Sequence, residues 1–279
     1  MNRREEYRTI HPNSLRFLRE AKNLPYLINK KVVPYQILNS TSIAINDSFL
    51  KKIQTLLEKN FLEFKTDVSL QAGLTFSCPS MLFQVSLKNG TKVYESMTIS
   101  VSETEEDGSV TWPLLLVLKQ TKKDLLMKIH QFIQQSFQCN LRPVQLTEHH
   151  MIWLIGIAVN ETLKRNINSG LSLTFNLPTK NAAEIDIYFD DDLLLALWDS
   201  THDSLNDIIK FEEIKVLFNQ MVSHINNVYG IDVSQLNVNS LLLKCLHLQF
   251  HEQFQMNAAK PDMIYLLLSF VISDCLESD

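Results

Sequence analysis

Apolar positions recur along this chain at two different periods, and the switches between them mark its elements. Phe49, Ile53, Leu56, Leu57 and Phe61 fall three or four residues apart, which predicts one stripe of a helix capped by Asp47 or Ser48. From Phe64 the period drops to two, and Phe64, Val68, Leu70, Ala72, Leu74 and Phe76 share one face of a long strand. Met81, Phe83, Val85 and Leu87 lead into Asn89-Gly90, and Val93, Met97, Ile99 and Val101 lead out. That pattern predicts a hairpin closed by a type I′ turn, because Asn-Gly tolerates the positive φ angles such a turn needs. After an acidic loop from Glu103 to Gly108, Val110 to Leu118 predicts another strand, in which Pro113 points to an edge position or a bulge.

The helical period then returns. Thr121 opens a helix with Asp124 three residues on and an apolar stripe of Leu125, Ile129, Phe132, Ile133 and Phe137. Pro143 closes this half. A second helix starts at Thr147 and is apolar nearly all round from Met151 to Val159, which predicts a central position.

Leu171, Leu173, Phe175 and Leu177 then form a strand ended by Pro178, with Ile185, Ile187 and Phe189 as its partner. Asp190 caps a short helix through Trp198, and a longer helix from Phe211 ends at Gly230, a natural residue for a left-handed C-terminal cap. Val233–Val238 and Leu241–Phe250 read as strands, and a last helix opens with Pro261 in its first turn.

Antiparallel strands in groups with helices between the groups predict an α+β fold, as two lobes of mainly antiparallel sheet packed with helices. The expected division is a mobile arm over 1–23, a first lobe over 24–143 and a second over 144–279 that carries a partner-binding sheet.

Composition narrows the function classes. At 279 residues and 45% hydrophobic the chain can bury a sizeable core. Its four cysteines lie 61, 106 and 30 residues apart, neither a disulfide framework nor a zinc knuckle, which suits a reducing compartment. Met1–Glu6 is followed by no apolar leader segment, and the longest apolar run, Met263–Ile272, is half of what a membrane span needs. A soluble intracellular protein is therefore expected, with no membrane partner. Charge is uneven: residues 1–35 carry eight Lys/Arg against three acids, a local +5, and the remainder is −10. A basic arm on an acidic body is a modest pointer to nucleic acid.

Candidate chemistry is sparse. Asp190, Asp191 and Asp192 with Asp186 could hold a hard cation, but acids at a helix start are favoured by the helix dipole without a metal. His247 and His251 near Cys245 have zinc spacing on a helix, yet the pattern there is strand-like and a fourth ligand is missing. Asp199, Ser200, His202 and Asp203 are crowded onto one helix end and cannot converge on a common atom as a catalytic triad must. No phosphate loop, nucleophile elbow or dinucleotide fingerprint occurs, so no enzyme activity, cofactor or resident metal is expected. Basic residues before and within the helix at Thr121, chiefly Lys119, Lys122 and Lys123, are the candidate phosphate contacts outside the arm. Leu241–Phe250 is apolar on both faces. One cover is expected to be the C-terminal helix; the other is either more of the chain itself, which the frequency of fully buried strands favours, or a partner that adds strands to the sheet.

Several stretches, in order, resemble the centromere protein L family of the inner kinetochore. They are Gln135-Ser136-Phe137-Gln138-Cys139 ending in Pro143, Thr174-Phe175-Asn176-Leu177-Pro178, Ala196-Leu197-Trp198-Asp199-Ser200-Thr201-His202, the helix Phe218–Ile231 with Ser223-His224 inside it, and the last helix from Tyr265 to Cys275. The resemblance covers roughly residues 110–275. It implies a nuclear, non-enzymatic subunit of the constitutive centromere-associated network at the centromere. Such a subunit pairs stably with centromere protein N, binds centromere protein C and other inner-kinetochore subunits, and embraces nucleosomal or linker DNA as part of the complex. On this reading Leu236–Met256 supplies the heterodimer interface, with Leu241, Leu243, Cys245 and Leu248 as contacts, and a charge at Leu243 should abolish pairing without unfolding the chain. Trp198 is expected in the core. The alternative is a homodimeric DNA-handling ring or clamp outside the centromere.

Overall fold

Helical stripes and alternating strands of these lengths can bury their apolar sides only against one another, and they do so in two groups. The computed structural model describes residues 24–39, 43–44, 46–72, 79–99, 109–110, 112–120, 122–164, 170–177, 183–202, 209–250 and 253–272. After a 3-10 turn at Leu24–Leu27 come β1 (Val33–Leu38), β2 (Ile43–Ala44), α1 (Asp47–Asn60), β3 (Lys65–Ala72), β4 (Pro79–Ser86) and β5 (Lys92–Ile99). Then follow β6 (Ser109–Val110), β7 (Leu114–Gln120), α2 (Lys123–Phe137), β8 (Asn140–Pro143), α3 (Glu148–Lys164), β9 (Leu171–Asn176) and β10 (Glu184–Phe189). The chain continues through α4 (Asp191–Asp199), α5 (Phe211–Tyr229), β11 (Val238–Leu243), β12 (Leu246–Gln249), β13 (Gln255–Ala258) and α6 (Pro261–Phe270). The described residues 24–145 and 253–272 form one unit, and 146–250 form the other. The class is α+β.

In the first unit six antiparallel strands run in the order β3-β4-β5-β7-β1-β8. Ile53 and Leu57 of α1 join the expected stripe of α2 in one buried cluster with Tyr35, Phe83, Leu115 and Val117 of the sheet. Phe137, the last residue of α2, takes the rings of Phe49, Phe83 and Trp112 edge-on at 5.9, 6.0 and 6.1 Å, arrangements that suit the aromatic quadrupole.

Three local expectations change here. The cap of α1 is Asn46, whose side chain accepts from the Phe49 N–H at 2.8 Å, one residue before the expected Asp47; all three residues at this start are good caps, and helix geometry selects the first. The β4–β5 turn is a three-residue loop. The Gly90 N–H donates to the Leu87 carbonyl, only Gly90 of the Asn-Gly pair has positive φ (87°), and the Asn89 side chain instead accepts from the Thr91 N–H. That is a type I turn followed by a left-handed glycine rather than type I′. Pro113 does not mark an edge: it lies just before β7, which is central, and its carbonyl accepts from the Ile37 N–H. Leu114 to Leu118 are all buried because this strand is covered on both faces. The expected helix start at Thr121 lies outside the described residues, and β8 and β13 carry too few apolar positions to have been predicted.

Away from the two helices, buried Glu95 gathers four donors. Tyr26 Oη, Lys30 Nζ (2.9 Å), Gln84 Nε2 (2.7 Å) and Lys92 Nζ (2.7 Å) all reach its carboxylate, and Lys30 also sits 3.5 Å over the Tyr26 ring. Burial alone would raise the Glu95 pKa, but the hydrogen bonds from Lys92, Tyr26 and Lys30 outweigh it and hold it at about 2. This clasp fixes the 3-10 turn. From there Asn29 and Val32 donate to the carbonyls of Ala258 and Met256, and α6 packs on the turn.

His130 of α2 stands edge-on to Tyr35 at 4.6 Å, with Tyr94 further off, and burial pushes its pKa down to about 4. An unfolded imidazole takes its proton near 6.5, so between 6.5 and about 4 the unfolded chain binds more protons than the folded one. The contribution is fully present above 6.5 and is lost as pH falls through that window, by up to about 3 kcal/mol. Urea titrations at pH 7 and pH 4.5 should show this loss, and His130→Leu should flatten it. Equal pH slopes in the two proteins would contradict the burial argument.

The second unit is built on the antiparallel strands β10, β9, β11 and β12, neighbours in that order. Its central helix α3 starts with a reciprocal cap: the Thr147 N–H donates to His150 Nδ1 (3.2 Å), and the His150 N–H donates to Thr147 Oγ1 (3.3 Å). The helix is buried from Ile152 to Asn160, as its all-round apolarity implies. Gly156 brings it close to α5, since a Cβ there would lie 2.5 Å from three carbons of buried Ile214. Gly230 (φ 67°) ends α5 as expected, and the Val233–Leu236 stretch is turn rather than strand.

Candidate functional site: the open sheet face and the basic helix start

The expected strand Leu241–Phe250 is a hairpin. β11 and β12 are joined through Lys244–Cys245, which contains no glycine, asparagine or proline to announce a turn, and Leu241 faces Leu248 while Leu243 faces Leu246. This explains the apolar run that strand alternation could not: its two halves lie side by side. Leu241, Leu243, Cys245 and Leu248 are all buried within the chain. Leu241 is in register with Leu173 of β9 and, through it, with Ile187 of β10, and the helix that packs on β11 is α3. The C-terminal helix, α6, belongs to the other unit. Because Leu243 is 3% exposed, a charge there would cost folding free energy directly.

The other face of the same sheet is open. Tyr188, Ser172, Leu242 and His247 stand in one row across β10, β9, β11 and β12, and Tyr188 and Leu242 are 59% and 51% exposed. In the next row Thr174 donates to Asp186 at 2.6 Å and Ser240 donates to Thr174 at 2.9 Å. At the bulge in β11, Asn239 donates to Glu184 at 2.6 Å. Backbone pleating separates these rows from the buried leucines, so the outward leucine of the hairpin is Leu242, which neighbours Leu241 and Leu243 in sequence but not in environment.

Lys119, Lys122 and Lys123 are all exposed. Lys119 is opposite Glu95 in the β5–β7 register, Lys122 is the N-cap of α2 without a side-chain cap bond, and Lys123 is the first residue of the helix. Lys122 joins Lys128 on a cleft of about 370 Å³ between the end of α1 and the start of α2, which Glu63 and Asp124 also line. Lys119 and Lys123 are not among its lining residues.

The remaining candidate clusters have structural partners. The Asp190 side chain accepts from the Leu193 N–H and caps α4, and Asp191 accepts from the Gly170 N–H at 2.9 Å. Among the described residues no group of three or more His, Cys, Asp or Glu is placed to hold a metal ion, and no helix is long and apolar enough to cross a membrane. His251 and Asp203 lie outside those residues.

The stretch Ala196–His202 ties two helix ends together. The Trp198 carbonyl accepts from the N–H groups of Thr201 (2.9 Å) and His202 (2.8 Å), and Ser200 Oγ donates to the Leu197 carbonyl. The His202 ring lies against buried Trp198, and its Nδ1 is 3.0 Å from Glu213, which also accepts from the Lys210 N–H at the start of α5. The Glu95 clasp is what the sequence reading missed. Its signal was an acid set on the same alternation as Val93, Met97 and Ile99.

These features define a class of α+β protein whose polar side chains cap helices, cross-link a sheet and clasp segments, and whose outward apolar residues lie on a sheet face. Residues 64–264 match the centromere protein L family, and the chain belongs to that family. The family is one of structural kinetochore subunits, so this is a centromere and kinetochore protein whose membership implies a nuclear place within the inner-kinetochore complex. No curated protein matches the chain.

Proposed function

We propose that the chain is a non-enzymatic subunit of the constitutive centromere-associated network, pairs stably with centromere protein N, and helps anchor the kinetochore to centromeric chromatin for chromosome segregation. Family membership over residues 64–264 carries this reading. The pairing surface is the β11–β12 hairpin. Leu241, Leu243, Cys245 and Leu248 hold it in place from beneath, and Leu242 meets the partner. An exposed leucine flanked by buried ones on a rigid sheet is a ready anchor, since it is already ordered before a partner arrives. Centromere protein C and other inner-kinetochore subunits complete the assembly.

DNA contact belongs to the assembled complex, with Lys119, Lys122 and Lys123 supplying this subunit's share. An acidic body limits binding to such local patches. Fluorescently tagged chain in cells of its own source tests the placement. Discrete nuclear foci that coincide with centromere protein C are expected, and uniform nuclear or cytoplasmic signal would contradict it.

A further inference from the structure

Resting on the pairing just described, we infer that the open face of the β10–β9–β11–β12 sheet recognises a protein surface presenting an apolar side chain beside a lysine or arginine. The apolar half of the pattern is the row that holds Tyr188 and Leu242, two large exposed side chains with small Ser172 between them. That notch, two strand spacings wide, accepts one aliphatic or aromatic side chain.

The charged half is Asp186 and Glu184, which lie on the same face and alternate with Tyr188 along β10. Both are exposed, and each has a neutral donor, Thr174 or Asn239. Among the described residues neither has a cation. None of the four strands contains a lysine or arginine. The described strand residues of this face thus carry two carboxylates and no lysine or arginine, and a complementary partner supplies the positive charge. The cross-strand hydrogen bonds matter twice: they hold both carboxylates in place, and they reduce the side-chain freedom lost on docking.

The same chemistry argues against two other occupants. Nucleic acid would bring phosphates against carboxylates. A second copy of this chain, set face to face, would bring acids and no cation.

The test uses the purified full chain and centromere protein N, with affinity measured by titration at several salt concentrations. Glu184→Gln with Asp186→Asn keeps both hydrogen-bond acceptors and removes both charges. This double variant should fold and melt like the parent, bind about three- to tenfold more weakly at low salt, and lose most of the salt dependence. Leu242→Glu is measured in parallel. Unchanged affinity and salt dependence in the double variant, with binding still broken by Leu242→Glu, would overturn the charge complementarity and leave the hairpin pairing standing. Parent-like binding by both variants would overturn the pairing surface itself. Tighter binding by the double variant would assign the partner an acidic face and overturn the inference.

Discussion

Leu242→Glu is expected to abolish pairing with centromere protein N while leaving the chain folded. Leu242 is half exposed, so the substitution buries no charge in the free protein, and its effect on unfolding free energy should stay within about 0.5 kcal/mol. In the complex the same carboxylate would be desolvated against the partner's apolar side chain, which offers it no hydrogen bond. A lost anchor of that kind typically costs 2 kcal/mol or more, or about thirtyfold in affinity at the least. The control is Val216→Glu, which alters an equally exposed apolar residue on α5 and should leave pairing intact. Matched losses from the two variants would point to a general effect of negative charge and not to this surface. The contrast with Leu243 is instructive, because one step along the strand turns a binding mutation into a folding mutation.

Trp198→Ala should have the largest effect on stability. Trp198 is buried at the end of α4, where its backbone carbonyl closes the helix and its ring supports His202. Truncation removes the transfer free energy of the indole and leaves a cavity that the surrounding helices fill only in part, about 3–5 kcal/mol in all. It also removes the surface that holds His202 against Glu213, so the link to the first turn of α5 should loosen with it. The melting temperature should fall by roughly 10 °C, followed by near-ultraviolet circular dichroism, which reports tryptophan packing. His202→Ala alone removes one hydrogen bond and should shift it by no more than a few degrees. A Trp198→Ala protein that melts with the parent would remove Trp198 from the core and with it the structural account of Ala196–His202.

Elements with strong periodicity were legible in the sequence. The stripes of α1, α2 and α5, the alternation of β9 and β10, the Asp190 cap and the Gly230 terminus all follow from one side chain's preference repeated or reinforced locally. Apart from the α1 cap and the β4–β5 turn type, which are local choices among similar alternatives, the misreadings share a cause, since each depended on something outside its own window. Pro113 looks like an edge residue until β7 is seen to begin after it, between β5 and β1. Leu241–Phe250 looks like one strand because its turn, Lys244–Cys245, lacks turn-forming residues and is held by the pairing on either side. The clasp on Glu95 joins residues up to 69 positions apart, beyond the reach of any periodicity. For the candidate site, the sequence marked Leu241–Phe250 as an apolar run that alternation could not explain, and the structure divides it by pleat: Leu241, Leu243 and Leu248 point inward and Leu242 outward.

Light scattering coupled to size exclusion, on the chain alone and co-expressed with centromere protein N of the same organism, tests the central claim most directly. A 1:1 complex that survives moderate salt is the expected result. No complex, together with a homodimer of this chain that shifts DNA by itself, would contradict it and favour a DNA-handling ring or clamp.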